Sequence, residues 1–149
     1  MMTTSQDIDP PRVTLTPEAC DSSGSPVTVS DARWRELLDI SDLREGDMAA
    51  LVEHRGLAAL GADVSDSFYA HVYSRPALRA IIDQNSTVDR LATTLRRYFE
   101  SLFAGRVDDD VLHGRQIIGE VHDRIELPLH AFLCAFLRID RVVIARLVQ

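Results

Sequence analysis

The residue with the clearest chemical potential is His122. On a helix its neighbours four back and three on are Ile118 and Ile125, so the imidazole projects from an apolar face. Two readings follow from the residue types. One is a buried histidine hydrogen-bonded to a carbonyl; the other is a neutral imidazole ligating a haem iron in an apolar crevice. Periodicity does not choose between them. His122 and Asp123 also form an adjacent His-Asp pair, which with His71 or His113 and Asp140 raises a third possibility, an all-helical metal phosphohydrolase. Adjacent helical residues diverge by about 100°, so both could hold one metal only at a local irregularity. His54, His71, His113 and His130 lack the i, i+4 pairing of a helical zinc site and read as surface or capping residues.

Composition removes other chemistries. All 16 basic residues are Arg, so neither a Schiff-base lysine nor a phosphate-loop lysine exists. Gly114 and Gly119 have phosphate-loop spacing, but Glu120 and Val121 follow where Lys and Ser or Thr are required. A net charge of −7 argues against a nucleic-acid partner. No apolar run reaches membrane-spanning length and no leader pattern opens the chain, so a cytoplasmic protein with no membrane partner is expected. Cys20 and Cys134 have neither metal spacing nor a disulfide framework, and the absence of Cys-x-x-Cys-His means that any haem would be held noncovalently.

The elements that must position these residues are helices. Residues 1–28 carry four of the six prolines and no apolar period, and are expected to be a flexible tail; residues 29–149 are expected to form one all-α domain. Trp34, Leu37 and Leu38 mark a first helix, and Ser41 is placed to cap a second that weakens at Gly56. Leu57, Leu60, Val64, Phe68 and Val72 share the face of a third, which stops near Arg75 because Pro76 disfavours helix in the residue before it. Pro76 can open a short fourth helix. Ser86 caps a long one with Val88, Leu91, Leu95, Phe99 and Leu102 on its stripe, terminated by Gly105. The run Asp108 to Asp110 suits the start of the helix that carries His122. A final helix starts near Pro128.

The stretch Ser86-Thr-Val-Asp-Arg-Leu-Ala-Thr-Thr-Leu-Arg-Arg, then Leu102-Phe-Ala-Gly, then Ile118-Gly-Glu-Val-His-Asp-Arg-Ile, closing on Leu127-Pro128, resembles the globin-coupled sensor family of bacterial haem-based oxygen sensors. Phe68-Tyr69 ahead of a Pro-terminated helix is similar too. The resemblance spans roughly residues 30–140. It implies a globin-like fold with haem b, its iron held by His122. It further implies that Tyr69 faces bound O2 or another diatomic gas such as CO or NO, that Thr94 is a second distal polar group, and that Leu91 lines the same side. Phe68, Ile118 and Ile125 complete the expected cofactor-binding set. The family implies no enzymatic activity, only a report of gas binding to a transmitter domain or partner not encoded here.

Departures are specific. The family usually has Gly after Arg-Ile, where this chain has Glu126; it has a Trp-Tyr pair where this chain has Ala131 and Phe132; and Cys134 replaces a common Gly. The family domain continues into one more long helix, so a globin-like fold lacking the last helix is expected, with Phe136, Val143 and Leu147 short of cover. Self-association as a homodimer through the C-terminal helix is therefore expected. The alternative of another class is a haem-free, globin-like helical interaction module.

Overall fold

The computed structural model describes residues 25–148. Seven α-helices follow one another among them: α1 (Ala32–Ser41), α2 (Glu45–Glu53), α3 (Gly61–Tyr73), α4 (Pro76–Asn85), α5 (Val88–Ser101), α6 (Asp109–Arg124) and α7 (Leu129–Leu147). Tight 3₁₀ segments at Arg55–Leu60 and Leu102–Ala104 connect α2 to α3 and extend α5. The fold is all-α and globin-like, as the sequence implies. One pair of two-residue strands, β1 (Val27–Thr28) and β2 (Val107–Asp108), runs parallel. The tail expected over residues 1–28 lies outside the described residues up to residue 24, and its last residues are engaged in this pairing.

Helix α3 is the hub, packing along α5, α7 and α4. Val64 and Ser65 are wholly buried within it. At its start a Cβ added to Gly61 would stand 3.2 Å from Arg96 Cγ, so the absence of a side chain lets α3 and α5 cross closely. Met48, Ile82, Phe99 and Val107 complete the buried apolar centre. Two hydrogen-bonded contacts, Arg138 Nη2 to Ser67 Oγ (3.0 Å) and Arg146 Nη2 to Asp63 Oδ2 (2.8 Å), set α7 antiparallel to α3.

Two expected caps move. Ser41 does not cap α2; it ends α1, where its hydroxyl donates to the Leu38 carbonyl (2.9 Å) and Asp42 turns the chain at φ 51°. Helix α2 starts after Arg44, whose N–H donates to Asp47 Oδ2 (2.8 Å), because an acidic residue at the third helical position can reach back to the cap. Likewise Ser86 closes α4, and Thr87 caps α5 by accepting from the Arg90 N–H. The expected stops at Pro76 and Gly105 hold. Pro76 is the first residue of α4, and Gly105 has φ 65°.

Helix α6 ends on a Schellman closure. The Glu126 N–H donates to the Asp123 carbonyl (2.9 Å) and the Leu127 N–H to the His122 carbonyl (3.0 Å). Such a closure needs a left-handed residue, and Glu126 supplies it at φ 53°. This is the position where the resembling family has Gly, and the conformation explains that preference. Glu126 holds it at a cost of about 1 kcal/mol relative to Gly.

These two backbone positions make a paired expectation. Gly105→Ala would combine a left-handed Ala with a Cβ driven into Val52 Cγ2, and should lower unfolding free energy by about 2–4 kcal/mol in urea titration. Glu126→Gly should raise it by about 1 kcal/mol. An unchanged midpoint in either variant would contradict the conformation assigned to that residue.

Candidate functional site

His122 lies two residues from the end of α6, half-buried, with its ring centroid 4.9 Å from that of Phe132 on α7. Phe132 in turn meets Phe136 edge to face at 5.2 Å. Burial holds the imidazole below its ordinary pKa of 6.5, a depression only partly offset by the Ile118 carbonyl one turn back. Although that carbonyl is close, Nδ1 is buried without a hydrogen bond of normal geometry. The ring is therefore neutral at pH 7, and one ring nitrogen must still serve as an acceptor or ligand.

Tyr69 stands near the end of α3, edge to face with Phe68 at a centroid distance of 4.9 Å. Desolvation pushes its pKa up to about 12, so the phenol keeps its proton at any physiological pH. Its hydroxyl makes no hydrogen bond to a described residue, whereas Tyr73 spends its own on Asp83 (2.8 Å). Thr94 on α5 differs. It is exposed, and its hydroxyl donates to the Arg90 carbonyl one turn back (3.0 Å). That bond uses its only proton, so Thr94 offers acceptor capacity while Tyr69 offers a free donor.

Helices α5 and α6 are joined by one polar contact near their connection, Arg115 Nη1 donating to Tyr98 Oη at 2.7 Å with the guanidinium 5.2 Å from the ring centroid. Beyond it the two backbones do not pack along one another. Leu91 and Thr94 lie seven and four residues before Tyr98 on the same helical stripe; Ile118 and His122 lie three and seven after Arg115 on theirs. The contact turns the stripe of α5 that bears Leu91 and Thr94 toward the stripe of α6 that bears Ile118 and His122. Leu91, Ile118 and Ile125 are half-buried. Because α7 runs antiparallel to α3, the half of α3 bearing Phe68 and Tyr69 lies beside the half of α7 bearing Phe132.

Phe132, Arg115 and Tyr98 are the participants that sequence reasoning missed. Phe132 could have been found from its i, i+4 relation to Phe136 on a helix starting seven residues after His122. Arg115 lies seven residues before His122, two turns away on the same face. The remaining histidines are exposed, and His54 Nδ1 lies 2.8 Å from the Ala50 carbonyl at the end of α2. Among the described residues no three His, Cys, Asp or Glu side chains gather as a metal site, so the phosphohydrolase reading has no centre to build on.

The residues present suit a haem. One neutral imidazole among apolar neighbours and a protonated phenol suit the single-histidine ligation of a haem iron better than the three or four protein ligands that zinc requires. Fold and site together define a globin-type domain of the haem-dependent, gas-binding class. The family model described as Protoglobin matches residues 30–149, and the chain belongs to that family.

The phenol gives a direct check. Alkaline titration followed by phenolate absorbance should show one tyrosine ionising near pH 12, and Tyr69→Phe should remove that step. Since the folded state binds this proton more tightly than the unfolded chain, whose tyrosine ionises near 10, Tyr69 should lower stability as pH rises above about 10. A Tyr69→Phe titration identical to the parent would show that the phenol is solvated.

Proposed function

We propose that this chain is a noncovalent b-type haem domain in which His122 is the axial ligand and Tyr69 the gas-facing donor, binding O2 foremost and signalling its occupancy without catalysing a reaction. The observation that carries the proposal is the half-buried imidazole of His122, which desolvation keeps neutral and which stands against the Phe132 ring with the Ile118 carbonyl one turn back as acceptor for one ring N–H, leaving the other nitrogen to ligate. A bound haem supplies a reversible site for a diatomic gas. The chain's residues supply the rest. Leu91, Ile118, Ile125 and Phe132 exclude water, and the imidazole fixes the cofactor's orientation. Tyr69 presents a proton that it does not lose at pH 7, and a buried donor favours polar O2 over the less polar CO. Thr94 is an auxiliary group that must release the Arg90 carbonyl before it can donate. The free thiol of Cys134 suits a reducing compartment, and cytoplasmic placement is part of this reading; among the described residues no helix is long and apolar enough to cross a membrane.

The test is spectroscopic and kinetic. The purified protein should be red with an intense Soret band, and His122→Ala should lose haem while staying helical. Tyr69→Phe should speed O2 release about ten- to a hundredfold, the equivalent of one hydrogen bond to a charged group, and change CO release much less. A His122→Ala protein with an unchanged five-coordinate histidine spectrum would sink the ligand assignment. A colourless parent protein would favour the haem-free interaction module.

The second copy belongs to the same reading. Helix α7 exposes Leu129, Leu133, Leu137, Ile144 and Leu147 to solvent, with Phe136 at 41% exposure, and Val143 is only half-covered. An apolar face of this extent is expected to pair with its like, giving a homodimer through α7, and an attached or partner transmitter would read the state of that pairing. Leu133→Glu with Leu137→Glu should convert dimer to monomer in sedimentation equilibrium. A parent chain that stays monomeric at high concentration would refute the homodimer.

A further inference from the structure

Helix α6 carries His122, yet among the described residues no other helix packs closely along its backbone. Its firm attachment is at its root. The Val107 N–H donates to the Pro26 carbonyl (2.9 Å), Val27 and Thr28 pair with Val107 and Asp108, and Val107 is buried. Asp108 caps the helix by accepting from the Val111 N–H (2.9 Å) and pairs with Arg106 (2.9 Å). Asp109, the first helical residue, reaches across to the start of α1. Its carboxylate accepts the backbone N–H of Ser30 (3.1 and 3.2 Å to its two oxygens), the N–H of Asp31 (3.3 Å) and the hydroxyl of Ser30. Arg35 Nη2 closes the arrangement on the Ser30 carbonyl (2.9 Å).

We infer that Asp109 is a positioning residue for His122, clamping the root of α6 to the segment preceding α1 and so setting where the imidazole sits against α7. The inference rests on the haem reading above. His122 is thirteen residues along the helix from Asp109, roughly 20 Å at a rise of about 1.5 Å per residue. A tilt of roughly 10° about the root therefore displaces the imidazole by roughly 3 Å. A ligand must be held to within about 0.5 Å of its productive position, so an unclamped root is incompatible with constant ligation geometry. Beyond the root, the described contacts of α6 are made by side chains, Arg115 to Tyr98 and His122 to Phe132, and by the closing turn at Glu126, so the root is where its backbone is held to another segment. The Asp109 carboxyl lies below the usual carboxylate range, chiefly through the Ser30 hydroxyl, so the clamp is charged at neutral pH.

The experiment compares full-chain Asp109→Ala, Ser30→Ala and Asp109→Asn with the parent and with His122→Ala. Three quantities are read: amide hydrogen exchange along α6, haem transfer to an excess of an apoglobin acceptor, and the iron–histidine stretching band of the reduced protein. Asp109→Ala should speed exchange in α6 but not in α3 or α5, speed haem transfer about tenfold, and shift or broaden the stretching band. Ser30→Ala, which deletes one donor and cannot threaten folding as a whole, should move all three in the same direction by less. Asp109→Asn, which can still accept both backbone N–H groups, should restore most of the parent behaviour. Parent-like exchange and a parent-like band in both alanine variants, alongside rapid haem loss from His122→Ala, would overturn the inference and leave the haem reading intact. Loss of protection in α6 with no effect of His122→Ala on haem retention would overturn the haem reading instead.

Discussion

The close crossing of α3 over α5 is the constraint on which the other helices depend. It is possible because Gly61 presents no side chain to Arg96, and because Ser65 is small and satisfies its own hydroxyl on the Ala62 carbonyl at 3.0 Å. Val64 between them is completely enclosed. Everything that places the candidate site is referred to this crossing: Tyr69 rides on α3, Leu91 and Thr94 on α5, and α7 is docked to α3 by the Ser67 and Asp63 contacts. A bulkier residue at 61 would press on Arg96 and Glu100 and part α3, which carries Tyr69, from α5, which carries Leu91 and Thr94.

The two sides of the candidate site are built on different principles. The side of α3 and α5 is rigid because its helices are interlocked at their backbones. The side of α6 is cantilevered from β2 and the Asp109 contacts, touches α5 through Arg115 and Tyr98, and meets α7 through His122 itself. On the proposed reading this asymmetry matters, since a ligand can shift an equilibrium only between arrangements that differ in energy by little. The interlocked helices give Tyr69 a constant position, and the position of the imidazole rests on the anchoring of the α6 root.

Helix positions were legible in the sequence because their signals are local. Proline at 76, the left-handed glycine at 105 and the 3.6-residue stripes act within a few residues and require no knowledge of the rest of the chain. Caps were misjudged by one to three residues at Ser41 and Ser86, since several small polar residues compete at each boundary and the winner is decided by which carboxylate or hydroxyl reaches back. His122 stood out by type and by its apolar neighbours, but composition alone could not separate a ligand from a satisfied core histidine; family resemblance made that choice. Thr94, in contrast, is exposed and bonded within its own helix, a state that sequence spacing cannot distinguish from a ligand-facing one. The Asp109 clamp was invisible because its partners lie 78 and 79 residues away, and the acidic run announced only a helix start.

That separation also dictates an order of assembly. The strand pair and the Asp109 contacts close a loop of about eighty residues, among the longest-range contacts in the chain, and loop closure of that span carries an entropy that local helices do not. During synthesis α3, α4 and α5 emerge and can pack on one another before Val107 exists to receive Val27. The root of α6 is anchored only afterwards, when the growing chain returns to its own beginning. Chain order and loop length thus put the anchoring of α6, and with it the final setting of His122, among the late contacts to form.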